Sequence, residues 1–365
     1  MANSQPLAEP ANSQEFLDQD TFGMHVSMYP SVVESALPRV NSEMFPTVKR
    51  FEEVCYYTGP NREMYPSLIL IDSYKILEDP KKLTNNNLKL ASILAWCFEM
   101  ITTAFIMTDD ILDNQDLRWK KLSWYKKPNI GLTAIVDIDH IRASAYTVLR
   151  KYFKDHPSYQ SLMNLIAETC FQTALGQSFD VNTANSFRET RDINLISMER
   201  YLKIVKYKSG IIMYKNPPLA AMHLAEYNNI ELLQNCEDIF EKLSTFRQAQ
   251  NDVWDCFGKY DNLGKTGTDI SEGKCTWTSA TALQYATKRQ RQIFQDNYGK
   301  IDLDSQRRIL ELYKEIDVVQ KFIDYKKELI GLVNERMDEI SNANLRKLMN
   351  LFIDIYVDID EDFTV

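Results

Sequence analysis

Residues 108–113 read Thr108-Asp109-Asp110-Ile111-Leu112-Asp113. On a helix, Asp109 and Asp113 lie on one face, one turn apart. They close a long apolar run, at a helix end that already carries partial negative charge, so two carboxylates there repel each other. A divalent cation with oxygen ligands removes the conflict. Mg²⁺ commonly takes one or two carboxylates and completes its shell with water and phosphate oxygens. Asp109, Asp110 and Asp113 are therefore candidate metal ligands. The alternative is an acidic, solvated helix end.

A second cluster, Gln250-Asn251-Asp252-Val253-Trp254-Asp255, follows another apolar helical stretch. Asn251 and Asp255 again share a face, and an Asn amide oxygen can replace a carboxylate in a Mg²⁺ shell. Asn251, Asp252 and Asp255 complete the candidate metal set. Two such clusters facing each other across a cavity would hold several Mg²⁺ ions around one diphosphate. Arg118, Lys208 and Lys265 supply cations for the oxygens the metals leave over. Lys120 and Lys121 read more simply as a solvated face. For diphosphate departure the acting residues would be Asp109, Asp113, Arg118, Lys208 and Asn251.

The elements that must carry these residues read as helices. Apolar residues recur three and four apart in 86–115, 131–153, 158–183, 192–216, 231–258, 276–297 and 304–337. No clear polar–apolar alternation suggests a sheet. Only 11 Gly and 12 Pro occur among 365 residues, so turns are scarce and elements long. Pro217-Pro218 is expected to terminate the helix carrying Lys208. Residues 1–30 read as a loose arm, and 31–365 as one all-α domain of ten or more helices. Leu90 to Thr108 is long enough to span a bilayer. Glu99 near its centre and Asp109-Asp110 at its end favour a buried core helix instead.

A net charge of −9 gives little support to a nucleic-acid partner. Six scattered cysteines and four histidines form no zinc pattern and no disulfide framework. A reduced, cytoplasmic setting fits best.

The motifs taken together resemble the short-chain trans-isoprenyl diphosphate synthases, the farnesyl diphosphate synthase family. The resemblance covers about 50 to 350. It rests on the first acidic motif followed by Arg118 and Trp124-Tyr125; Gly176-Gln177 with Asp180; Lys206-Tyr207-Lys208; 248–255; and 264–270 before Lys274-Cys275. It implies the all-α isoprenoid synthase fold, a single large helical bundle with a central cavity. It also implies Mg²⁺, three ions with the diphosphate, an allylic diphosphate substrate and a homodimer. Gln177, Gln248, Lys208, Lys265 and Arg118 would then contact substrate. Ala104 and Phe105, five and four residues before Asp109, would set the depth of the hydrocarbon pocket.

The departures from the family pattern bear on the second substrate, isopentenyl diphosphate. Its diphosphate is held in the family mainly by basic residues. Here Thr58-Gly59-Pro60-Asn61-Arg62 keeps only Arg62 of one basic stretch, and Trp119 stands where a second Arg belongs. Thr102 replaces a Gln, and the C-terminal tail is acidic. Near the second motif an aromatic position reads Arg247. These losses lead to the expectation of a terpene synthase, a diphosphate lyase that ionises farnesyl diphosphate and cyclises it to a sesquiterpene. Phe105, Phe171, Tyr214 and Trp254 would either steady the carbocation through their π faces or simply pack the core. The alternative is a farnesyl or geranyl diphosphate synthase condensing an allylic diphosphate with isopentenyl diphosphate. From another class, a silent regulatory subunit is disfavoured by the intact first motif.

Overall fold

The computed structural model describes residues 19–38, 40–60, 64–227, 230–258, 267–340 and 342–357. The chain divides into two compact units. One comprises 1–111, 122–170 and 216–230, the other 112–121, 171–215 and 231–365.

The first unit opens with α1 (Gln19–Ala36), α2 (Phe45–Thr58) and α3 (Tyr65–Leu77), before α4 (Asn85–Leu112). The arm expected over 1–30 is thus helical from Gln19. His25 of α1 stacks on Trp96 of α4 with ring centroids 4.4 Å apart, and the Trp96 indole N–H donates to the His25 carbonyl. An aromatic anchor of this size outweighs the polar composition that made the segment look loose. α5 (Ala134–Phe153) packs against α1 and α2. There Arg50 grips Asp137 through two bonds of 2.8 and 2.7 Å, and the Trp124 indole N–H joins at 2.8 Å. α8 (Asn216–Leu224) lies along α3.

α4 contains neither Gly nor Pro, and most of its residues are buried in protein. That bears out the core-helix reading of the apolar run. Glu99, the charge at its centre, has a structural task. Its carboxylate accepts the backbone N–H of Ser67 at 3.0 Å, in the first turn of α3, where N–H groups lack helical partners.

The helix stops at Leu112 because Asn114 turns left-handed, with φ 50°. Two two-residue strands follow, β1 (Leu117–Arg118) and β2 (Lys121–Leu122). Trp119 and Lys120 join them with φ of 50° and 62°, the double left-handed pattern of a tight hairpin turn. Among the described residues this is the only sheet, so the all-α class stands.

The second unit takes most of α6 (Tyr159–Thr190), then α7 (Met198–Val205) and a ten-residue π-helix, Lys206–Lys215. The expected stop at Pro217-Pro218 does not occur. Both prolines stand directly after the π-helix, in the opening residues of α8. The chain reaches them through wide π turns rather than by breaking. α9 (Ile230–Phe257), α10 (Asp269–Glu272), α11 (Trp277–Tyr285), α12 (Lys288–Asn297), α13 (Leu303–Ile316), α14 (Val318–Glu339) and α15 (Ala343–Val357) complete the unit. Two long periodic runs prove to be pairs of helices. The Thr287 capping box restarts the chain as α12, and Asp317, left-handed at φ 59°, separates α13 from α14.

Candidate active site

The second unit gathers a compact set of opposite charges. Lys208, in the π-helix, donates to Asp180 of α6 at 2.6 Å. Lys274, between α10 and α11, donates to Asp113 and lies 3.8 Å from Asp180. Asp180 therefore faces two ammonium groups, one of which also holds the last carboxylate of the first acidic motif. Asp113, Asp180 and Lys274 are buried, and Lys208 is half-buried. Charges removed from water need this degree of mutual pairing.

The backbone explains how Lys208 arrives there. Gly176 and Asp180 are one turn apart on α6, on one face. A Cβ at Gly176 would stand 2.2 Å from the Lys208 nitrogen and 2.5 Å from the Tyr207 carbonyl carbon. Only glycine lets α6 and the π-helix touch backbone to backbone at this point. Lys274 is placed by a second close approach. Gly273 and Gly299, both left-handed at φ 67° and 74°, lie against each other, and the Tyr298 hydroxyl donates to the Lys274 carbonyl at 2.6 Å.

The second acidic motif lies in the last two turns of α9. Asn251 and Asp255 are half-buried and share a face, whereas Asp252 points elsewhere and is buried. One Asp252 oxygen accepts the Gln248 side-chain N–H at 2.9 Å, and the other accepts the Trp277 backbone N–H at 2.8 Å, capping α11. Gln248, expected on the substrate, is bonded to Asp252. Burial and the Asp252 charge hold the Tyr201 hydroxyl well above the ordinary phenol range. Asp255 accepts the Asp269 N–H at 3.1 Å, and Gly267 packs on its carbonyl.

Asp109 is half-buried on α4 and Asp110 is buried one residue on, so the two carboxylates leave the helix on different sides. Arg118 is half-buried in β1, Gln177 is buried on α6, and Lys120 and Lys121 are exposed as expected. Lys265, Arg62 and the acidic end of the tail lie outside the described residues. Every candidate metal donor is an oxygen, which suits Mg²⁺. Among the described residues no three of His, Cys, Asp and Glu converge into a ready-made cage. Such a donor set fits an ion that completes its shell from phosphate oxygens and water.

Asp180 and Lys274 were not among the site residues expected from the sequence, although both stand inside motifs that were noticed. Lys274 is separated from Asp113 by 161 positions, and nothing local to either residue signals the pairing.

Several aromatics expected around a carbocation are otherwise engaged. The Arg142 guanidinium covers the Phe105 ring at 5.1 Å, and that of Arg247 covers Trp254 at 4.9 Å. Phe171 is 66% exposed. A ring whose face already meets a guanidinium is poorly placed to stabilise a second cation.

The polyprenyl synthetase family model matches residues 49–316. The chain belongs to the polyprenyl synthetase family. The farnesyl pyrophosphate synthase of Gallus gallus is 32% identical over 344 residues, covering 94% of this chain and 91% of that protein. The geranyl diphosphate synthase of Ips pini is 30% identical over 307 residues, covering 82% and 74%. A T. brucei farnesyl diphosphate synthase in complex with risedronate superposes with TM-score 0.86 at 23% identity, over 93% of this chain and all of that one, a likeness of fold. The all-α isoprenoid synthase fold is thereby established.

These relatives overturn the terpene synthase expectation, along with its lyase chemistry. They are named as synthases of prenyl diphosphates. That expectation rested on missing cations at an acceptor site. Individual charge contacts are replaceable and weigh less than kinship across nearly the whole chain. The covered faces of Phe105 and Trp254 point the same way.

Proposed function

We propose that this polyprenyl synthetase is a short-chain prenyl diphosphate synthase, joining an allylic diphosphate to isopentenyl diphosphate. The observation that carries the reading is the convergence of Lys208 and Lys274 on Asp180 and Asp113. Two ammonium groups held on shared carboxylates are suited to transfer onto an incoming diphosphate. Each then contributes a charge-assisted hydrogen bond that strengthens as the leaving oxygen gains charge.

In the reaction the allylic C1–O bond breaks and its electron pair leaves with the diphosphate. The alkene of isopentenyl diphosphate attacks C1, forming the new carbon–carbon bond and a tertiary cation. That cation loses a proton to the released diphosphate, giving the longer allylic product. Bound Mg²⁺ supplies neutralisation of diphosphate charge, which makes the group a better leaving group. Asp109 and Asp113, which share a helix face, are suited to hold it, and so, separately, are Asn251 and Asp255 on the second motif; Asp110, buried on another side of α4, is not. Arg118 and Lys208 hold the allylic diphosphate. Cytoplasmic location and homodimeric assembly are part of the same proposal.

The acceptor side has its own signature. The Thr102 hydroxyl donates back to the Phe98 carbonyl of its own helix at 2.8 Å, so it is not directed at a substrate. With Trp119 in place of a cation, affinity for isopentenyl diphosphate should be the weaker of the two. The test is incubation with geranyl diphosphate, isopentenyl diphosphate and Mg²⁺. The expected result is a longer prenyl diphosphate and equimolar diphosphate, with KM for the acceptor above that for the allylic substrate. No consumption of isopentenyl diphosphate at any concentration would end the reading.

A further inference from the structure

Phe105 lies four residues before Asp109 on α4, on the same helix face and about 6 Å nearer the apolar end. The hydrocarbon tail of an allylic diphosphate held at Asp109, running toward that apolar end, meets Phe105 within one turn. Ala104 beside it is fully buried and presents only a methyl group. These two residues alone make a shallow barrier.

A second layer stands behind Phe105. The Arg142 guanidinium of α5 lies 5.1 Å from the centre of the Phe105 ring. Its Nη1 donates to Asp139 at 3.1 Å, and its Nε is enclosed without a hydrogen-bond partner. One turn further along α5, the Tyr146 hydroxyl is hydrogen-bonded to the Cys170 thiol of α6. The surface beyond Phe105 is therefore polar and charged, within a unit whose neighbouring positions are apolar.

We propose that Arg142 is a chain-length-determining residue of this enzyme, a positioning residue that acts through Phe105. The inference rests on the prenyl diphosphate synthase reading. A tail that grows past Phe105 must displace the ring and press alkyl carbon against a guanidinium. Stripping water and ring contact from that charge is costly and gains no compensating hydrogen bond. Arg142 thus restores the stop that the small Ala104 leaves incomplete. The length of the Arg stem is not the point, since an unbranched apolar side chain of similar length would welcome the tail.

The test uses the full chain with geranyl diphosphate, excess isopentenyl diphosphate and Mg²⁺, reading product lengths by mass spectrometry. Arg142→Met keeps the stem and removes the charge, and should raise the ratio of the next-longer product to the parent product by about tenfold. Arg142→Gln should shift the ratio in the same direction, and Arg142→Lys should leave it near the parental value. Phe105→Ala serves as the positive control for a lengthened pocket. A parental ratio in Arg142→Met and Arg142→Gln, alongside lengthening in Phe105→Ala, overturns the proposal and leaves Phe105 as the sole stop. A parent chain that consumes no isopentenyl diphosphate is a different result, and overturns the condensing activity itself.

Discussion

Lys208 and Lys274 reach Asp180 from different elements, and each is separately replaceable. Lys274→Gln keeps a polar side chain of moderate length but removes the charge that pairs with Asp113. One charge-assisted hydrogen bond is worth about 1.5–3 kcal/mol, or roughly 10- to 150-fold in kcat/KM for the allylic substrate. Steady-state kinetics at saturating isopentenyl diphosphate measures it, and a loss under twofold would remove Lys274 from the diphosphate site. Asp109→Ala should abolish turnover while the helical circular dichroism stays intact, because its charge is unfavourable at the end of α4 until a cation arrives. Near-parental turnover would dismiss the first motif. The acidic motifs were legible because spacing alone puts paired oxygens on one face. The roles of Asp252 and Gln248 were not, because a carboxylate that caps α11 and one that binds a metal look alike in sequence. Lys274 was hidden for a related reason, since its partner is tertiary.

At the scale of elements, the π-helix and α6 meet at Gly176. Gly176→Ala forces a methyl group into backbone that cannot rotate away, a form of overpacking that typically costs about 1–3 kcal/mol. The predicted outcome is a lower melting temperature together with a raised KM for the allylic diphosphate, because Lys208 moves with the displaced backbone. A fall in stability with unchanged KM would show that Gly176 serves packing alone. The helix itself was legible from its periodicity, but its π turns were not. They answer to Pro217 and Pro218 on one side and to backbone contact with Gly176 on the other.

α1 makes a pH prediction. Burial lowers the His25 pKa from 6.5 to about 3. Between these values the unfolded chain binds a proton that the folded chain does not, so stability declines as pH falls below 6.5. The slope from this one site is about 1.4 kcal/mol per pH unit. Melting temperature between pH 7 and 5 should therefore fall less in His25→Phe than in the parent. Equal slopes would mean that His25 is not buried neutral against Trp96 and the Ser92 hydroxyl.

For the whole molecule, helix content and the central apolar helix were readable because few Gly and Pro interrupt the 3.6-residue period. Breaks that depend on a single left-handed residue, such as Asp317, were not readable, since the apolar period runs on through it with no Gly or Pro to mark the break. Trp119, Thr102 and the acidic tail suggested a lost second substrate, but absent contacts at an acceptor site do not by themselves change the chemistry. The covered ring of Phe105 depends on Arg142 of α5, a tertiary contact that motif spacing does not carry, whereas Arg247 and Trp254 stand two turns apart on α9.

Isotopic labelling separates condensation from cyclisation. The parent chain is given geranyl diphosphate, deuterated isopentenyl diphosphate and Mg²⁺, and the products are analysed by mass spectrometry. The condensing activity predicts a longer prenyl diphosphate carrying the deuterium of one isopentenyl unit per elongation, apart from the single hydrogen lost in that step. Recovery of all the deuterated isopentenyl diphosphate unchanged, with hydrocarbon formed from farnesyl diphosphate in a parallel reaction that lacks it, would contradict the account.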